Sequence, residues 1–224
     1  MKLSALFFIS MLFFALCGSE RKIGLRYDFN DPESLKKSWE FHCSLFMVPR
    51  TTFKIEHVAS ALDKKSLAVE AKSATGVLMT DPKVNLRKYP VMRWRWRVVR
   101  PVNVPPGSRE PDDQAGVIYL GDGTMISQKS VAYRWECNTS PGKKKDISYG
   151  GGMMKVRAEC IRNKRTAVGE WVVEERDVLA DFIRAYKRFP GEYFILGVGA
   201  NSQYSKSDTR LEIDYIEFVS RKKK

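Results

Sequence analysis

Histidine is almost missing from this chain: its 224 residues include two, His42 and His57. Both fall in predicted strands with no nucleophile motif beside them. There is no G-x-S-x-G, no H-E-x-x-H, and no glycine loop followed by Lys-Ser/Thr and a helix. Serine-hydrolase, zincin and phosphate-loop chemistry therefore have no support, and Gly150-Gly151-Gly152 reads as a turn. The four cysteines, Cys17, Cys43, Cys137 and Cys160, are scattered without C-x-x-C or Cys/His spacing, which argues against a zinc site. No metal or cofactor is expected, and no catalytic residue is assigned. Glycine-triplet and heptad repeats are absent too, excluding collagen-like and coiled-coil chains.

What is present begins with an address. Residues 1–16 (MKLSALFFISMLFFAL) carry one charge, Lys2, ahead of an apolar-to-small run. That is the n-region and h-region of a signal peptide, shorter than the roughly 20 apolar residues of a membrane span. Export to the periplasm or envelope is the expectation. Phe14-Ala15-Leu16-Cys17-Gly18-Ser19 resembles a bacterial lipoprotein box, with Leu16 where a small residue is usual. Lipidation of Cys17 and ordinary cleavage near Cys17 to Ser19 are the two alternatives, and membrane attachment is expected only through such an anchor.

The formal charge is +13. Nucleic acid would suit it, but export and the lack of a nucleic-acid-binding motif exclude that partner. An envelope glycan or an anionic lipid headgroup fits the address better. Lys143-Lys144-Lys145 and the basic tail 220–224 read as solvated.

Residues 24–219 read as one domain, an all-β sandwich of about eleven or twelve short strands. The strands are expected at 24–29, 39–48, 52–58, 67–71, 77–80, 91–99, 115–120, 131–137, 153–160, 168–174, 193–199 and 211–219. Gly121-Asp122-Gly123 is expected to turn the chain, and 138–152 to be a loop. Asp31 before Pro32 and Glu33 predicts a short helix through Ser38. A second, amphipathic helix is predicted over 177–189 before the last two strands. Asp177 is its N-cap, Val178, Phe182, Ile183 and Tyr186 its apolar face, and Pro190-Gly191 its stop.

Several segments, taken in order, resemble the domain-of-unknown-function family numbered 3047: Met92-Arg93-Trp94-Arg95-Trp96-Arg97-Val98, Asp112-Asp113-Gln114-Ala115, Ala132-Tyr133-Arg134-Trp135, and Glu175-Arg176-Asp177-Val178 with Asp181. That resemblance spans residues 25–219 and implies an exported bacterial β-sandwich protein of no known activity. The family's Asp- and Thr-rich segment is replaced here by Gly199 to Tyr204. A looser likeness, in Tyr27-Asp28-Phe29 and the closing Glu212 to Phe218, is to jelly-roll carbohydrate-binding modules, whose terminal strands often pair.

The strand 91–99 is the most informative. Alternation puts Met92, Trp94, Trp96 and Val98 on one face and Arg93, Arg95 and Arg97 on the other. Either the tryptophans are core or they form a sugar platform about 7 Å long. The core reading leaves the arginines as the candidate surface, where they either meet acids in a structural network or bind an anionic ligand. Consecutive strands usually neighbour one another. That expectation groups Arg93, Arg95 and Arg97 with Asp112, Asp113, Glu175, Arg176 and Asp181, and with Tyr133 and Trp135, as the ligand-binding set. It also makes the strands ending in Cys137 and Cys160 adjacent and antiparallel, either with a disulfide or with two core thiols. Adjacent carboxylates on a strand face opposite ways, so Asp112-Asp113 suits arginine pairing or turn capping better than an acid–base dyad. The leading function is non-catalytic binding of a glycan or other anionic envelope ligand. The alternatives are a glycan hydrolase or lyase using carboxylates near Asp112 and Asp113, and a structural envelope lipoprotein.

Overall fold

The computed structural model describes residues 21–42, 47–105, 111–124, 127–191 and 194–222. The apolar leader, Cys17, Cys43 and the last two lysines of the tail lie outside the described residues. In chain order the elements are β1 Ile23–Tyr27, α1 Pro32–Ser38, β2 Glu40–His42, β3 Thr52–His57, β4 Lys65–Lys72, β5 Thr75–Thr80, β6 Val91–Arg100, β7 Gln114–Thr124, β8 Ser127–Trp135, β9 Lys144–Tyr149, β10 Met154–Arg162, β11 Val172–Asp177, α2 Val178–Tyr186, β12 Phe194–Asn201 and β13 Asp208–Val219. A 3-10 turn at Gly150–Gly152 joins β9 to β10.

The strands make the expected jelly-roll-like sandwich. One sheet runs β11-β6-β13-β4-β3 with β1 added on β13, so the terminal strands pair; the other runs β2-β5-β12-β7-β8-β10-β9. The core lies between them. Trp94 and Trp96 are fully buried, as the core reading of that strand expects, and they meet the facing sheet directly. The Trp94 ring lies 5.5 Å from that of Tyr133, and the Trp96 ring 5.5 Å from that of Trp135. Tyr133 and Trp135 are thus core residues along their rings. Four interlocked aromatics of this size contribute far more than any surface contact, since truncating one such ring to alanine costs about 3–5 kcal/mol.

Both helices form where their caps predict. The Asp31 carboxylate accepts from the Glu33 and Ser34 amides, with Pro32 in the first turn, and Asp177 accepts from Ala180. The second helix ends earlier than the expected 189: Lys187 takes the left-handed conformation and closes it. Val178 and Phe182 enter the core, while the Tyr186 hydroxyl wedges between β8 and β10. It accepts from the Ser130 and Arg157 amides and donates to the Ser130 carbonyl at 2.7 Å, with the Lys155 carbonyl at 2.9 Å.

Three expectations are corrected. Gly121-Asp122-Gly123 does not turn the chain; it continues β7 against β8. The stretch 138–152 is not all loop, because it contains β9. The strands before Cys137 and Cys160 are adjacent but parallel, with Ala158 opposite Ala132. The chain passes beyond β10's position to lay down β9, then returns through the glycine turn. Cys160 makes no bridge to Cys137; its thiol donates to the Thr139 or Arg162 carbonyl.

Candidate functional site

The outward face of the first sheet carries the arginine row. Glu212 and Glu217 are an odd number of residues apart and would point oppositely on a regular strand. A bulge between Ile213 and Tyr215 restores the phase, so both face out beside the arginines. Arg93 lies 3.1 Å from Glu217 and 3.7 Å from Glu175, Arg95 pairs with Asp214, and Arg97 lies 2.7 Å from Glu212. Trp171 roofs the row, its ring 4.6 Å from both Arg95 and Arg97, and its indole donates to Ser60. Arg210 extends the mesh to Glu56, Glu70 and Glu212. Burial opposes its charge, but those carboxylates outweigh burial and raise its pKa. Of the acids grouped with the row from sequence, Glu175 is in contact with it. Asp112 and Asp113 belong to the other sheet.

There the outward face has its own small apolar floor, Val117, Ala132, Val156 and Ala158, with Tyr119, Ile147 and Tyr149 packed against it. Arg134 alternates onto this face with Ala132 and anchors a polar cluster. Its side chain is 1% exposed. One nitrogen lies 2.7 Å from Asp112, another bonds Gln114, and Nε lies 3.1 Å from Glu136, itself 1% exposed. The Tyr149 hydroxyl donates to the second Asp112 oxygen at 2.6 Å. Lys145 reaches over both acids, 3.0 Å from Glu136 and 3.8 Å from Asp112. The two outer members face solvent, Asp112 at 30% and Lys145 at 36% exposure. Glu136 Oε2 is buried without a hydrogen-bond partner.

The electrostatics keep these phenols neutral. Burial raises the Tyr149 phenol, with Tyr119 and Asp112 adding to the effect, and burial pushes Tyr119 up to about 12. Burial also works against the Arg134 charge, but Asp112 and Glu136 more than offset it, leaving its pKa raised. The site is therefore a fixed set of donors and acceptors: a guanidinium, an ammonium, two carboxylates and a carboxamide between two tyrosines.

The remaining sequence-derived residues fall elsewhere. Asp113 is buried and caps a turn, accepting from the Tyr204 and Ser205 amides. Tyr133 reaches from the core to Asp181 at the edge of α2, where a narrow cleft also holds Glu159 and Lys144. Arg176 lies 5.9 Å from the Tyr133 ring and 3.9 Å from Glu159. Glu175 is held at 2.8 Å by Arg21. Sequence reasoning brought Asp112 to the candidate site but left out Gln114, Arg134 and Glu136 at its centre, and Tyr119, Lys145 and Tyr149 around them. The available signal was the period of two in Lys145, Ile147 and Tyr149, hidden inside a lysine- and glycine-rich stretch. Among the described residues, no group of three or more His, Cys, Asp or Glu is placed to hold a metal ion.

Among solved structures the chain is similar to a carbohydrate esterase of Shiga toxin-encoding bacteriophage phi24B, at 12% identity, over 90% of this chain and 100% of that one, with a TM-score of 0.45. It is similar to the xyloglucanase domain of NopAA from Sinorhizobium fredii, solved with cellobiose, at 8% identity, 83% and 95% coverage and a TM-score of 0.46. A third likeness is to the mannan-recognising carbohydrate-binding module TmCBM27, at 14% identity, 91% and 99% coverage and a TM-score of 0.36. No curated protein matches the chain in sequence. The family pattern described as "Protein of unknown function (DUF3047)" matches residues 38–217, and the chain belongs to that family.

Proposed function

We propose that the protein binds a glycan without catalysis, on the outward face of the second sheet around Asp112, Arg134, Glu136, Lys145 and Tyr149. The observation that carries this reading is the solvent-facing pair over the cluster: Asp112 is 30% exposed and Lys145 36%, and the buried Arg134 and Glu136 hold them in place from below. An acceptor and a donor fixed side by side at the surface can each take a sugar hydroxyl without first having to be ordered. Adjacent donors and acceptors, Lys145 and Arg134 beside Asp112 and Glu136, suit neighbouring hydroxyls of a pyranose. Tyr119 and Tyr149 supply the apolar flank that such sites use. Each carboxylate is already engaged by a cation, Asp112 and Glu136 both by Arg134 and Lys145, which fixes them as acceptors in one geometry. Export directed by residues 1–16 belongs to the same reading, and envelope polysaccharides are then the glycans in reach.

The test is a glycan-array screen of the protein, followed by calorimetry on any glycan retained. The expected result is binding that Lys145→Ala and Asp112→Asn each weaken at least tenfold, with the melting of Lys145→Ala unchanged and that of Asp112→Asn lowered but cooperative, since the amide still accepts from the buried Arg134. No retained glycan, or variants binding like the parent, overturns the reading. Release of shortened oligosaccharides would replace it with the hydrolase or lyase alternative.

A further inference from the structure

The sandwich has a strongly basic end. There β1 and β6 begin, β11 and β13 finish, and α2 starts: Ile23 and Val91 both lie opposite Val219, and Val91 lies opposite Asp177. The β5–β6 connection folds onto the same end, with Tyr89 against Gly24 and Arg87 stacked 4.3 Å over Phe189, just past α2. The side chains of Lys22, Lys83, Arg87, Lys88, Lys187 and Lys222 project there, all exposed. Among the described residues none of these is in an ion pair. The local carboxylates Asp122, Asp177 and Asp181 are already taken by Arg188, Arg221 and Arg184, while Asp81 is exposed nearby.

Two large apolar side chains stand among these cations: Ile23 is 55% exposed and Phe189 49%. The β9–β10 turn at the same end adds the exposed Met153. A polyanion in water has no use for exposed apolar groups beside its phosphates or sulfates. A bilayer surface uses both, headgroup charge for the lysines and the acyl boundary for the rings and aliphatic chains.

We infer that the basic end is a docking surface for an anionic phospholipid bilayer, with Phe189 and Ile23 seated at the headgroup–acyl boundary. It lies apart from the Asp112–Tyr149 cluster, so its fate does not depend on the glycan reading. The test is flotation of the full chain with vesicles of phosphatidylcholine alone, or of three parts phosphatidylcholine to one part phosphatidylglycerol. The expected result is a marked preference for the anionic vesicles that falls with added salt. Lys22→Glu, Lys83→Glu and Lys88→Glu combined should reduce binding to anionic vesicles at least a hundredfold, at about fivefold for each lysine lost. Binding to neutral vesicles, which the apolar run of residues 1–16 supports, should be unchanged. Phe189→Ser should weaken anionic-vesicle binding without changing its salt dependence. Circular dichroism and melting establish that each variant is folded, and the salt titration of the parent stands even where one is not. Equal binding to both vesicles by the parent, or an unaltered preference in the folded triple variant, overturns the inference. So does retention on heparin or duplex DNA without any vesicle preference.

Discussion

The Tyr133 hydroxyl, whose ring is locked between the two sheets, donates to the Asp181 carboxylate of α2 at 2.7 Å. That bond ties the helix to the core, and Arg184 holds the same carboxylate from its other side at 2.6 Å. Tyr133→Phe keeps the ring and removes the bond. Because Asp181 retains Arg184, the cost should be about 1–2 kcal/mol rather than that of a stranded charge. Denaturant melts of the two proteins measure it.

Alkaline pH should unfold the protein through its phenols. Burial raises Tyr119 to about 12 and Tyr133 well above its usual value, so the folded state holds these protons more tightly than the unfolded chain does. The stabilisation is fully present below pH 10, the ordinary phenol range. For Tyr119 it is lost as pH climbs from there to about 12, and Tyr133 extends the loss higher. Each phenol contributes a slope of about 1.4 kcal/mol per pH unit while it titrates in the unfolded state alone. Tyrosinate absorbance should lag behind the free-phenol curve and then rise together with loss of ellipticity. Early, independent ionisation would refute the assignment.

Arg95→Ala separates a structural arginine row from a binding one. Its partner Asp214 is 3% exposed, and Trp171 would lose its stacked guanidinium. Removing one member of so buried a pair should cost about 2 kcal/mol, reduced from the fully buried case because Arg95 itself reaches solvent. Glycan binding at the opposite sheet should survive. A variant that melts like the parent yet loses ligand would return the site to the arginine face.

Oxidation should leave Cys137 and Cys160 unbridged. Burial pushes the Cys160 thiol up to about 11, so little thiolate is present near neutrality. Alkylation of Cys160 at pH 8 should be slow in the native protein and fast in denaturant. A non-reducing peptide map with a 137–160 crosslink would contradict this.

Alternation carried much of the architecture in the sequence. Trp94 and Trp96 against Arg93, Arg95 and Arg97 could be sorted into core and surface because a period of two leaves one solution for a half-buried strand. Asp31 and Asp177 marked helix starts because side-chain caps are local chemistry. Strand direction was not legible in the same way. A strand overlooked between two others reverses their apparent relation, and β9 is easily overlooked because every second position, Lys144, Asp146 and Ser148, is a residue equally at home in a loop. The candidate site was legible only at Asp112. Arg134 and Glu136 share a face by the period of two, but their meeting with Asp112 and Lys145 joins three separate segments, and no local spacing encodes that. The bulge near Asp214, which aligns Glu212 and Glu217 with the arginines, likewise answers to the partner strand rather than to its own sequence.

The position of β13 in the middle of the first sheet sets a timetable for folding. It lies between β6 and β4 and also holds β1, so that Arg26 meets Glu217 across 191 residues of chain. Until residues 208–219 emerge during synthesis, β4, β6 and β1 have no common partner, and Trp94 and Trp96 have half a sandwich to pack into. Such a chain gains little from early collapse and should fold late and cooperatively, at a rate limited by closing its longest loops. Up to that moment the first sheet lacks its central strand, and the strands that pair without it, β7, β8, β10 and β9, have no opposite layer to close against.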